Sequence, residues 1–220
     1  MKIILFGASG MVGAAALREA LAAPEVEGVL SVGRRPCGVD HPKLKELVLP
    51  DLLDFAAVEP QLDGYDACLW AVGVSSVGLD EAAYARVTEE LTLAWARALL
   101  RLNPGMSFCY CSGAGAGGRA MWARVRQRVE RGLQAMPFRH AGVVRPAFIR
   151  PGPGIRSRTW GYQLGLVLLK PLFLLVPLLV RAIPFVVTTS EVLGRAMLRV
   201  TQGRADRFIL ESSDINRIGR

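Results

Sequence analysis

Histidine, paired cysteine and lysine are scarce in this sequence, and each scarcity removes a class of function. The two histidines, His41 and His140, stand alone with no ligand-spaced cluster around them, so no metal centre is expected. The four cysteines, Cys37, Cys68, Cys109 and Cys111, contain no C-x-x-C pair. Cys109 and Cys111 are two apart on an expected strand and so share a face. Buried free thiols in a reducing, cytoplasmic compartment are the expected state. Only four of the 27 basic residues are lysines, so the net charge of +8 rests on arginine. Coding composition accounts for such a bias as readily as function does, and no nucleic-acid partner is expected. The positive field still favours a phosphorylated cofactor or an anionic surface. No signal peptide is expected, because the apolar run after Lys2 passes straight into a glycine turn. Internal repeats and low-complexity linkers are also missing.

What is present begins at that turn. The chain has 220 residues, 51% of them hydrophobic, and can bury one full core. Residues 2–6 read as an apolar strand and 14–21 as strong helix sequence, with Gly7-Ala8-Ser9-Gly10-Met11-Val12-Gly13 between them. Strand, glycine turn and helix make the first unit of a dinucleotide-binding fold. Gly7 permits the tight turn, Gly10 the approach of backbone to a pyrophosphate, and Gly13 close packing of helix on strand. The pyrophosphate sits at the helix N-terminus, where free N–H groups and the dipole favour an anion.

Strand and helix then alternate, which predicts a Rossmann-type α/β fold: a doubly wound, mostly parallel sheet with helices on both faces. The second strand, 28–33, ends at Arg34-Arg35, about twenty residues past the glycine turn, where an adenine ribose belongs. An acidic residue there bonds the 2′-hydroxyl and selects NAD. Two arginines instead suit a 2′-phosphate, so NADP is the expected cofactor and NAD the alternative. Further strands are expected at 44–49, 65–72, 106–111 and 140–146, with helices over 80–102 and 119–136. The small-residue loops 73–78 and 112–118 fall at carboxyl ends of strands, where ligands of open α/β sheets bind. Arg124, Arg128 and Arg131 share a face of the second of these helices and read as a solvated row.

Pro151-Gly152-Pro153-Gly154 ends the alternation. It divides a dinucleotide-binding unit, 1–150, from a C-terminal segment, 151–220, packed on the same domain. Within that segment, 159–187 is almost uncharged. Pro171, Pro177 and Pro184 cut the run and Lys170 falls near its middle, so a single membrane span is not expected. Burial against the domain or in a homodimer interface is the plain expectation. The alternatives are a protein partner or shallow insertion at the inner face of a membrane, with Arg156, Arg158 and Arg181 meeting lipid phosphates. Thr188-Thr189-Ser190-Glu191 reads as a capping box for a final helix, and 207–210 as a last short strand.

On these residues the chain resembles the atypical, extended-type short-chain dehydrogenase/reductases, and within them the small NAD(P)-binding epimerase/dehydratase-like branch. The resemblance runs motif by motif over 1–148 and more loosely over the capped helix and last strand. It implies that Gly7, Gly10 and Gly13, with the backbone of Ser9, Met11 and Val12, line the pyrophosphate. It implies that Arg34, assisted by Arg35, clamps the 2′-phosphate and that Asp51 with Leu52 frames the adenine. Ala71, Val72 and Gly73 would pass under the ribose next to the nicotinamide. Ser112 would bond substrate, Thr88 stands where the family often has a structural Asn, and Arg145-Pro146-Ala147-Phe148 would close over the nicotinamide.

One departure limits what the resemblance carries. The family's catalytic Tyr-x-x-x-Lys frame here reads Trp122-Ala123-Arg124-Val125-Arg126. Tryptophan has an N–H donor but no titratable hydroxyl. Arg126 keeps the positive charge that holds the ribose, without lysine's geometry. The usual reductase mechanism is therefore not expected, and Ser112 is the surviving polar group. Tyr65 and Tyr110 read as strand residues, Tyr84 as a packing residue, and Tyr162 falls in the apolar run. Three functions stay open. One is NADP-dependent redox or epimerase-type chemistry on a small, apolar substrate; another is a non-catalytic NADP-binding sensor or assembly protein. The third is the same cofactor fold docked on a membrane, handling a lipidic or quinone-like substrate.

Overall fold

The computed structural model describes residues 1–152 and 187–220. Its strands are β1 (Lys2–Phe6), β2 (Gly28–Gly33), β3 (Leu44–Val48), β4 (Ala67–Trp70), β5 (Ser107–Cys111), β6 (Ala141–Arg145), β7 (Phe148–Arg150), β8 (Val187–Thr189) and β9 (Ile209–Glu211). Seven of them form one sheet in the order β3-β2-β1-β4-β5-β6-β9, and every neighbouring pair is parallel. Strands covered on both faces read as continuous apolar runs rather than alternating ones. β1 is such a strand: Ile3 and Leu5 enter one core and Ile4 and Phe6 the other, all fully buried.

The helices are α1 (Met11–Ala22), α2 (Glu81–Ala85), α3 (Leu91–Leu102), α4 (Met121–Gln134), α5 (Ser190–Thr201) and α6 (Ser212–Ile218). α1 and α5 cover one face, burying Ala16, Leu17 and Ala20 against Leu193, Ala196 and Met197. Gly194 permits that approach, since a Cβ there would come 2.9 Å from the Ala15 carbonyl oxygen. α3 and α4 cover the other face with Trp95, Ala96, Leu99, Val129 and Leu133. Between α2 and α3 the backbone passes through a π-helical turn, Arg86–Glu90, so the helix expected over 80–102 is continuous but wider and underwound in its middle. The Asp80 carboxylate caps it, accepting from the Ala83 N–H at 2.8 Å.

Several local expectations change. The last expected helix starts one residue late: Thr189, not Thr188, is its cap, accepting from the Val192 N–H. Thr188 is taken by β8, which pairs Ile149 with Thr188 in a two-stranded parallel sheet. Glu191 leaves the cap and lies against Gly152, where a Cβ would fall 1.5 Å from its Oε1. The helix is not final either, because α6 follows β9 with its own capping box of Glu211 and Asp214. The arginine row on α4 is not simply solvated. Arg124 pairs with Glu81 at 2.6 Å, and Arg128 with Glu81 at 3.0 Å and Glu89 at 2.6 Å, tying α4 to α2 and the π turn. The apolar run 159–187 lies outside the described residues except for Val187. Among the described residues no helix is long and apolar enough to cross a membrane.

Candidate functional site

The carboxyl ends of β1, β2, β4 and β5 open into a cleft of about 520 Å³. Gly7, first after β1, has φ +83°, the left-handed region that glycine enters without penalty. A Cβ on it would lie 2.6 Å from the Ala71 carbonyl oxygen, so only glycine lets the turn pass the end of β4. The Gly10 N–H closes the turn on the Gly7 carbonyl at 2.9 Å. Gly13 lets α1 sit directly on the turn, for a Cβ there would meet the Gly7 carbonyl oxygen at 2.0 Å. Among the described residues no side chain caps α1, and its first turn carries no acidic residue. Its leading N–H groups and the positive end of its dipole are thus left for an anion, with Ser9, Gly10, Met11 and Val12 lining the cleft.

Arg34 and Arg35 follow β2, line the same cleft and are solvent-exposed. After β3 the two expected adenine residues part company. Leu52 lines the cleft, held there by its carbonyl accepting from Trp95 Nε1 at 2.7 Å. The exposed Asp51 turns back on its own loop, accepting from the Leu53 N–H at 2.9 Å. Ala71, Val72 and Gly73 line the cleft beyond β4, and Ala71 is fixed by its N–H on the Phe6 carbonyl at 3.0 Å.

At the end of β5, Ser112 is 7% exposed and lines the cleft, and its Oγ has no hydrogen-bond partner among the described residues. Such a buried orphan hydroxyl marks a place where a ligand or an ordered water completes the bonding. Arg126 reaches the cleft from α4. Its Nε donates to the buried Tyr84 hydroxyl at 3.0 Å. Its terminal nitrogens lie between two loops: a Cβ on Gly113 would be 3.3 Å from Nη1, and one on Gly73 3.9 Å from Nη2. Trp122 stands one turn earlier and is not among the residues lining the cleft. Its ring packs on Gly115, where a Cβ would lie 3.3 Å from Cη2. Pro146 lines the cleft just beyond Arg145, which is anchored to Glu130 and, at 3.2 Å, to Glu211.

Electrostatically the cleft is one-sided: among the described residues Arg34, Arg35 and Arg126 line it and no carboxylate does. Burial pushes the Cys111 thiol up to about 11 against the pull of Arg126, and pushes the Tyr110 hydroxyl well up, so both stay neutral at physiological pH. The arrangement can bind phosphate groups at two places and offer donors at a third, Ser112 with Arg126. Among the described residues it presents no titratable hydroxyl where the tyrosine of a Tyr-x-x-x-Lys pair would act. Sequence reasoning missed Val32, Gly33 and Cys111, which line the cleft as the last residues of their strands. The expected strands 28–33 and 106–111 already end on these residues, so counting strand ends as part of the cleft finds them. Ile149 and the Tyr84 contact had no local signal.

No family model matches this sequence, and no curated protein matches it either. Solved structures do. An oxidoreductase of the short-chain dehydrogenase/reductase family from Burkholderia thailandensis superposes with a TM-score of 0.72 at 15% identity, over 97% of this chain and 92% of that one. This is the short-chain dehydrogenase fold. A short-chain dehydrogenase family protein from Francisella tularensis gives a TM-score of 0.66 at 11% identity, covering 99% and 94% of the two chains. The Bordetella bronchiseptica enzyme WbmH, solved in complex with NAD+, gives 0.66 at 15% identity, covering 92% and 72%. At such identities the short-chain dehydrogenase likeness is one of fold, and the residues in the cleft must carry the rest.

Proposed function

We propose that this chain binds NADP in the cleft and serves oxidoreductase or epimerase-type chemistry on a small substrate. The observation that carries the reading is the α1 N-terminus, uncapped among the described residues and seated by Gly7 and Gly13 against a cleft that no described carboxylate lines. Two phosphates of a dinucleotide fit the first-turn N–H groups, and a 2′-phosphate fits Arg34 and Arg35, whose planar forks grip phosphate oxygens in pairs. Leu52 would cover the adenine, while Ala71, Val72, Gly73 and Pro146 would flank the ribose and nicotinamide, leaving Ser112 and Arg126 beside the reacting carbon. Asp51 would act only by shaping the loop that presents Leu52. When bound, the nicotinamide supplies hydride transfer. The chain's own part is to hold the ring, exclude water and orient a substrate oxygen on the Ser112 hydroxyl.

The reading is tested by titrating NADPH and NADH into wild type and Arg34→Ala. The expected outcome is a strong NADPH preference that falls roughly tenfold or more in the variant, the worth of one charge-assisted contact. Equal, weak binding of both by wild type removes NADP from the assignment. A second reading, a non-catalytic NADP-binding sensor or assembly protein, is favoured by Trp122, which has no titratable hydroxyl and packs on Gly115 instead of lining the cleft. Turnover of cofactor in a substrate screen decides between the two.

A further inference from the structure

We propose that Arg126 and Ser112 form a receptor for a carboxylate group of the substrate, next to the cofactor; the inference rests on the cleft being the dinucleotide site. Arg126 differs from the arginines around it. Arg124 and Arg128 on the same helix have glutamate partners, and Arg145 has two. Among the described residues no carboxylate lies within 4 Å of Arg126, and residues 153–186 contain no Asp or Glu at all. Its one hydrogen-bond partner among the described residues is the Tyr84 hydroxyl, not a carboxylate. A cation drawn partly out of water without a counter-charge is costly, and an anionic ligand removes that cost.

The geometry selects the kind of anion. Tyr84 occupies Nε, so the guanidinium turns its remaining edge, Nη1 and Nη2, toward the space between Gly73 and Gly113. Two parallel N–H donors match the two oxygens of a carboxylate. The orphaned Ser112 hydroxyl, 7% exposed in the same cleft, adds a third donor. The cofactor phosphates have their own partners elsewhere. In the order β2-β1-β4-β5, the end of β2 and the gap between β4 and β5 are two to three strands apart, about 12 Å at the usual strand spacing. Arg34 and Arg126 therefore serve separate anions. Tyr84 is a positioning residue that fixes the rotation of the guanidinium.

The experiment is calorimetric titration of the whole chain, with and without saturating NADP+, using propionate, malonate and succinate against the matching neutral amides. The acids are expected to bind at least tenfold more tightly than the amides. That preference should vanish in Arg126→Gln, persist in part in Arg126→Lys, and weaken severalfold in Tyr84→Phe and Ser112→Ala. NADP+ affinity should change less than threefold in each. Acids and amides binding wild type equally, or neither binding, overturns the proposal without any variant having to fold. So does a Gln variant that loses NADP+ and keeps the acids, because Arg126 then serves the cofactor ribose. Failure of the dinucleotide reading shows separately: wild type then binds no NADP+, while acid-over-amide preference in the cofactor-free arm still supports the receptor and its absence still refutes it.

Discussion

Replacing Gly13 by alanine sets two physical effects against each other, and their sizes decide the outcome. Gly13 lies inside α1, where alanine is favoured over glycine by about 1 kcal/mol of helix propensity. Propensity alone therefore predicts a more stable protein. The new methyl, however, would stand 2.0 Å from the Gly7 carbonyl oxygen and 2.4 Å from its carbon. These are backbone atoms of a turn pinned by the Gly10 N–H and pressed on Ala71, so no rotamer change relieves the contact. α1 would have to lift by about 1 Å, loosening Ala16, Leu17 and Ala20 from the core. Overpacking of this kind costs about 3 kcal/mol, leaving a net loss of about 2 kcal/mol. For a chain of this length that is a fall in Tm of about 4–8 °C. Thermal denaturation followed by far-UV circular dichroism measures it. At Gly10 the methyl would meet only the Gly7 carbonyl oxygen at 3.3 Å with φ already negative, so Gly10→Ala should stay within about 1 kcal/mol of wild type. A Gly13→Ala protein as stable as wild type, or more so, would refute the packing argument for the turn.

Glu130 is 3% exposed and binds the Arg145 guanidinium through both oxygens, so Glu130→Ala should cost about 3 kcal/mol in urea unfolding by stranding a mostly buried cation beside the half-exposed Glu211. A loss under about 1 kcal/mol would count against that pair as an anchor for Pro146. Burial raises the Cys111 thiol from 9.0 to about 11, and Cys68 and Cys109 shift the same way. Their folded pKa values lie above the unfolded ones, so stability is intact below about pH 9 and declines toward pH 11, as the unfolded chain releases protons that the folded chain keeps. Urea midpoints across that range should fall, and less steeply in Cys111→Ser; a flat profile would show the thiols reaching solvent.

The strand-turn-helix opening, the parallel sheet and most of the cleft were legible in the sequence because their causes are local. Gly7 is needed by the φ of one turn, Gly13 by contact with a residue six positions back, and Arg34 and Arg35 by standing at the end of their own strand. Short-range periodicity and glycine spacing carry that information without a fold. Pairings between distant residues needed the fold. Thr188 joins a strand across 39 positions to Ile149, which displaces the helix cap to Thr189. Tyr84 meets Arg126 across 42 positions, and Arg145 finds both Glu130 and Glu211. None of these contacts has a signature in the residues next to it, since each depends on which helix is laid over which strand. The sequence by itself thus determined the glycine turn and the helix start on which the proposed dinucleotide would rest. Only the tertiary structure decided that the remaining arginine in the cleft stands without a carboxylate partner among the described residues, because whether a charge is paired depends on every element packed around it.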